Sequence, residues 1–114
     1  MKYALLIYPT GDEQALSEDE RKAVTAEYLA FREDPRCLGG AHLQPIETAT
    51  TVRAANLITD GPYADTKEVL GGYFVFEASN LDEVLEVAQR IPAVRFGGAV
   101  EVRPLVDVPV ESAF

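Results

Sequence analysis

A chain of 114 residues is a single domain's worth of sequence, long enough to bury a core without a metal or a disulfide to staple it. Its 10 Lys and Arg against 19 Asp and Glu leave a net charge of −9, which repels a nucleic-acid backbone and is better read as solubility. One cysteine, Cys37, excludes an intrachain disulfide, and no spacing of His, Cys and carboxylates is diagnostic of a metal site. An anionic substrate would have to find a shielded local patch of Arg and Lys on this acidic surface.

The run Lys2 to Tyr8 reads as a strand that Pro9 terminates. Tyr3, Leu5 and Ile7 fall on one face and Ala4, Leu6 and Tyr8 on the other, so both faces expect a cover and the strand belongs at the centre of its sheet. The same run is too short for a signal peptide, and no later stretch could span a bilayer, so the expected location is the cytoplasm. Ser17-Glu18-Asp19-Glu20 is a capping box, with acids suited to the positive end of the helix that follows. That helix carries Val24, Tyr28 and Phe31 and should stop before Pro35. Gly39-Gly40 reads as the turn out of it, and Ala41 to Ile46 as a short strand. Cys37, beside the helix end, reads as a small packed residue.

Thr50 to Arg53 and Asn56 to Thr59 read as a hairpin around Ala54-Ala55. Gly71 to Ala78 is the next strand. Asn80 then caps a second helix, with Glu83 at its third position and Leu81, Val84, Leu85, Ala88 and Ile91 as the apolar stripe before Pro92. A last strand, Ala99 to Leu105, sets Val100 and Val102 against Glu101 and Arg103. The order is βαβ, a hairpin insertion, then βαβ, which is the ferredoxin-like α+β architecture. Residues 1–106 form the domain and 107–114 a tail. The second apolar face of the first strand then calls for another copy of the chain, giving a homodimeric α+β barrel.

Between the hairpin and the strand at Gly71 lies the one stretch where turn chemistry, acids, a hydroxyl and a lysine crowd together, Asp60-Gly61-Pro62-Tyr63-Ala64-Asp65-Thr66-Lys67-Glu68. Gly61 can adopt angles closed to other residues and Pro62 fixes its own φ. Two readings stay open at Asp60. It is a candidate general base if a cavity desolvates it, or a turn cap through backbone hydrogen bonds. Lys67 with Thr66 could hold a carboxylate or oxyanion, or Lys67 could simply pair with Glu68 or Asp65 in solvent. Glu101 and Arg103 face away from Val100 and Val102, either into an inter-sheet cavity as ligand contacts or neutralising one another. Tyr8 and Tyr73 are candidates for lining that cavity. His42 is the only histidine, and no orienting partner is identifiable for it in the sequence.

The opening Met1 to Tyr8, Thr50-Thr51-Val52-Arg53, Thr59-Asp60-Gly61-Pro62, Thr66-Lys67-Glu68 with Leu70-Gly71-Gly72, and Val100 to Pro104 together resemble the YCII-related, DGPF-motif proteins over roughly residues 1–106. The resemblance implies a ferredoxin-like fold, a dimer, a bacterial source and an undefined enzymatic role. It carries Asp60 over as the aspartate of the motif. Tyr63 stands where the motif has phenylalanine, which adds a hydroxyl, and Asp65 where glutamate is usual. The first helix has no histidine, so a His–Asp dyad known in some of these proteins does not carry over. The expectation is a small cofactor-free enzyme or small-molecule-binding protein with its site at the dimer cleft. Asp60 would be the base there, with Tyr63, Thr66, Lys67, Glu101 and Arg103 as contacts and no metal. The competing expectation, also from the resemblance, is an accessory partner of an alternative sigma factor, using exposed apolar residues such as Leu29 or Phe114.

Overall fold

The structure is a computed structural model that describes residues 1–11, 15–64 and 66–106. Asp65, the tail 107–114 and its Phe114 therefore lie outside the described residues. Strand β1 (Lys2–Tyr8) sits between β5 (Gly72–Glu77) and β6 (Ala99–Pro104), and β2 (Cys37–His42) lies outside β5, giving the sheet order β2-β5-β1-β6. All three pairings are antiparallel. Helices α1 (Glu18–Glu33) and α2 (Leu81–Gln89) connect them, so the chain has the ferredoxin-like βαββαβ order, with the central position expected for β1.

The register explains which face is buried. Leu5 pairs with Phe74 and Val102, and Tyr3 pairs with Phe76, so large apolar side chains of three strands meet on the helix side. Tyr3, Leu5, Ile7, Phe74 and Phe76 are buried there with Val84, Val87, Ala88 and Ile91. On the other face Ala4, Leu6 and Tyr8 are only half-buried, with no covering layer among the described residues.

Both helix starts form as the sequence predicts. Glu20 N–H donates to Ser17 Oγ and Ser17 N–H to Glu20 Oε1, each at 3.1 Å, and Glu83 N–H donates to Asn80 Oδ1 at 2.9 Å. The hydrogen bond from Ser17 N–H lowers the Glu20 pKa, because it favours the carboxylate.

Three element boundaries differ from expectation. Strand β2 begins at Cys37, because Asp34 closes a tight turn by accepting Arg36 N–H on its carboxylate and Cys37 N–H on its carbonyl, both at 2.9 Å. Gly39-Gly40 is thus inside the strand. Gly39, at φ +150°, sits where the register against β5 shifts, and a Cβ on Gly40 would lie 2.3 Å from Tyr73 O. A single 3₁₀ turn, Ile46–Thr48, occupies the end of the stretch expected as strand. Pro92, expected to end the second helix, instead opens the short helix α3 (Pro92–Arg95), where its missing N–H costs nothing. In α2, Leu81 is 47% exposed while Val87 joins the core.

The insertion is a hairpin, as expected, formed by β3 (Thr50–Arg53) and β4 (Leu57–Asp60) as a separate two-stranded sheet. Ala55 and Asn56 at its tip both have φ near +60°, the handedness that suits a two-residue hairpin turn.

Candidate functional site

A concavity lies under α1. It is a cleft of about 560 Å³, within the range of small-ligand sites. Its roof is the α1 face carrying Arg21, Val24, Thr25, Tyr28, Leu29 and Arg32, residues three or four apart and so on one side of the helix. Its floor is the end of the sheet, with Ile7 and Pro9 from β1 and its exit, Ala41 and His42 from β2, and Gly71 with Gly72 to Phe74 from the entry and start of β5.

Why this space exists follows from the residue types. The helix carries few large apolar residues, and of these only Phe31 is buried. The opposing strand ends hold Gly71 and Gly72, which fill nothing. A Cβ on Gly71 would meet the Pro9 ring at 2.8 Å and one on Gly72 would meet Ala41 O at 2.7 Å, so close approach of the chain requires glycine at both. The C-terminal half of α1 is anchored by aromatic contacts, with Tyr28 and Phe31 at 6.5 and 5.8 Å from the Phe74 ring. Arg32 Nη2 donates to Gly40 O at 3.0 Å and ties α1 to β2. Arg95 pairs with Glu27 at 2.6 Å from the α3 side. The result is a roof pinned at one end above a shallow floor.

His42 ends β2 and pairs in register with Gly72, which places it on the helix-facing side of the sheet. Its side chain makes no hydrogen bond among the described residues. The sequence offered no orienting partner for it; the fold puts it in the cleft with Thr25 and Tyr28. Leu29, a candidate partner-surface residue, is 54% exposed but belongs to the same roof.

The Asp60 loop is elsewhere. Gly61 has φ +100° with open space around its Cα, so the glycine serves the backbone angle. Its N–H donates to Ala49 O and its carbonyl accepts Thr51 Oγ1–H, both at 2.8 Å. The turn is therefore fastened by Thr51 and Ala49. The Asp60 carboxylate is exposed and makes no hydrogen bond among the described residues, so the capping role is filled by other groups. Tyr63, 72% exposed, lies under the Arg53 guanidinium at 4.7 Å. Thr66 Oγ1 donates to Glu68 O at 2.7 Å, and Lys67 makes no ion pair among the described residues. None of these side chains lines the cleft.

Glu101 and Arg103 project from the open face of the sheet, opposite Leu6 and Ala4 in register, and pair with one another through Arg103 Nε at 3.0 Å. Tyr73 shares that face and Tyr8 lies beside it. The sequence candidates thus divide between an exposed arm and an open sheet face. Of the cleft residues, Tyr28 reads from the sequence only as part of the helix's apolar face, and Thr25, Arg21 and Arg32 are not singled out, because helical spacing alone marks them as an ordinary amphipathic face. Cys37 is half-buried against the core, its Sγ 3.5 Å from Gly39 O, as a packed residue.

Residues 1–109 match the YCII-related domain. An uncharacterised protein of Rhizobium meliloti (strain 1021) is 35% identical over 116 residues, covering 92% of each chain. The fold is similar to that of the 5-chloro-2-hydroxyhydroquinone dehydrochlorinase of Burkholderia phenoliruptrix AC1100, solved in complex with 2,5-dihydroxybenzoquinone. The TM-score is 0.54 at 22% identity, over 93% of this chain and 94% of that one. At that identity the likeness establishes the shared fold.

Proposed function

The chain belongs to the YCII-related family, and from that premise we propose that it binds a small organic molecule in the cleft under α1 and acts on it without a cofactor. One observation carries this reading. The cleft has the volume of a ligand site, with Ile7, Val24, Tyr28, Leu29 and Phe74 among its walls and the polar side chains of Thr25, Arg32 and His42 set between them. His42 is the group there whose chemistry suits proton transfer near neutral pH. The dehydrochlorinase of similar fold was solved with a single-ring compound, which is the size the cleft accommodates.

A second copy of the chain completes the picture we favour. Ala4, Leu6, Tyr8, Tyr73 and Val75 form an apolar strip on the open face, and the hairpin arm exposes Val52 by 70% and Ile58 by 63%. A two-stranded hairpin is marginal by itself in water, and exposed apolar surface of this kind marks an association site. In such a homodimer the arm carrying Asp60, Tyr63, Thr66 and Lys67, and the Glu101–Arg103 pair, would reach a ligand site only across the interface.

The test is a titration with 2,5-dihydroxybenzoquinone followed by amide chemical shifts. Changes are expected at Thr25, Tyr28, His42 and Gly72, and Tyr28→Ala should weaken them about tenfold. Changes confined to the Asp60 loop or the Glu101–Arg103 face would move the site away from α1.

A further inference from the structure

The chain carries a net charge of −9, yet the cleft lining contains two arginines and a histidine and, among the described residues, no carboxylate. Such a sign reversal inside an acidic protein is a local attractive field for an anion, focused by the apolar walls around it. Arg21 and Arg32 are too far apart to grip one group. Eleven residues of helix separate them by about 16 Å. Arg32 is the better placed of the two. Its bond to Gly40 O fixes the guanidinium over β2, and a guanidinium has five donors, of which this bond uses one. Because α1 and β2 are joined by a tight turn, they run in opposite directions. Four residues back along α1 is about 6 Å, and two residues on along β2 is about 6.6 Å. With Arg32 level with Gly40, Tyr28 is therefore level with His42.

Resting on the cleft reading above, we infer that the ligand class is a small organic anion. Its charged group is seated at the Arg32 guanidinium, its apolar body lies against Tyr28, Val24 and Phe74, and His42 is alongside. A planar anionic group matches the guanidinium fork with two parallel hydrogen bonds. Arg21 stands at the other end of the roof, where its Nε donates to Leu16 O at 3.2 Å.

Benzoate and its neutral isostere benzamide make the comparison, each titrated to high millimolar concentration while cleft amide shifts are read. Benzoate is expected to bind at least about tenfold more tightly than benzamide, the scale of one charge-assisted bond. Arg32→Gln should abolish that preference, Arg32→Lys should keep much of it, and Arg21→Gln should reduce it by only a few-fold. Added salt should weaken benzoate and leave benzamide unchanged. Equal binding of the two to the wild-type protein would overturn the anionic class while leaving the cleft as a ligand site. So would a preference that survives Arg32→Gln intact. Failure of both probes to shift any cleft residue would instead bring down the cleft reading itself.

Discussion

The two βαβ halves of this fold use the same order of elements to different ends. The 9-residue α2 buries Val84, Val87 and Ala88, with Ile91, Pro92 and Ala93 just beyond it also buried. The 16-residue α1 buries Phe31 alone. The longer helix contributes less to the core because of what lies beneath it. On the α2 side, Leu5, Val100 and Val102 fill the space between helix and sheet, whereas beneath α1 the strands present Gly40, Gly71 and Gly72. One half is thus packed to hold the fold, and the other leaves the cleft in which we propose a ligand binds. Binding sites need such space, and it is available only where the core can do without it.

The sharpest way to break this comparison is to cut equivalent apolar groups on the two sides. Ile91→Ala, at a fully buried position, is expected to lower unfolding stability by about 3 kcal/mol, and Val24→Ala in the cleft roof by less than about 1 kcal/mol, both read by urea denaturation. Equal losses would mean that α1 is as firmly packed as α2.

Acid sharpens it next, through the cluster that ties the two halves together. Arg36 donates from Nη2 to Asp34 at 2.8 Å and from Nη1 to Glu83 at 3.3 Å, linking the exit of α1 to the start of α2. The Arg36 side chain holds the Asp34 carboxyl down to about 2, from an ordinary 3.8. Glu83 is lowered as well, first by the Ser79 N–H it accepts and then by Arg36. A carboxyl whose pKa is lower in the folded than in the unfolded chain stabilises the fold above its unfolded value. That stability is lost as pH falls through the folded one. The Asp34 contribution, of order 1–2 kcal/mol, is therefore present above pH 4 and disappears toward pH 2. Denaturation midpoints followed from pH 5 to pH 2 should fall less steeply in Asp34→Asn than in wild type over that window.

Association comes third. The open face predicts a homodimer at micromolar concentration, and Leu6→Lys at its centre should raise the dissociation constant at least about tenfold by sedimentation, at little cost to folding. A folded wild-type monomer at that concentration would show that the open face tolerates water.

The smallest effects belong to the arm, outside both halves. Asp60→Asn and Lys67→Ala alter exposed side chains without hydrogen bonds or ion pairs among the described residues. Each should leave the unfolding free energy within about 0.5 kcal/mol of wild type. If either abolishes binding of a cleft ligand, the arm reaches the site across a dimer.

Much of the architecture was legible before folding, because its signals are local. Apolar residues on both faces, Tyr3, Leu5 and Ile7 on one and Ala4, Leu6 and Tyr8 on the other, placed β1 at the centre, Ser17 and Asn80 marked both helix starts, and Gly61 marked a turn that needs positive φ. Where reading failed, one residue type supported two local outcomes. Gly39-Gly40 suits a turn or a bulged strand, and Pro92 ends one helix or begins another. In the Asp60 loop the Gly61 backbone fastens the turn to Ala49 and Thr51, while the Asp60 and Lys67 side chains that drew attention make no hydrogen bond or ion pair among the described residues. The cleft could not be read at all. Arg32, His42 and Gly72 are separated by 10 and 30 residues and share no motif; they meet because β2 pairs with β5 while α1 crosses over both. The sequence by itself thus determined the strands other than β2, the helix caps and the central place of β1, since each is written in the pattern of near neighbours along the chain. Only the tertiary structure decided where a ligand could sit, because a cavity is the space that distant segments leave unfilled.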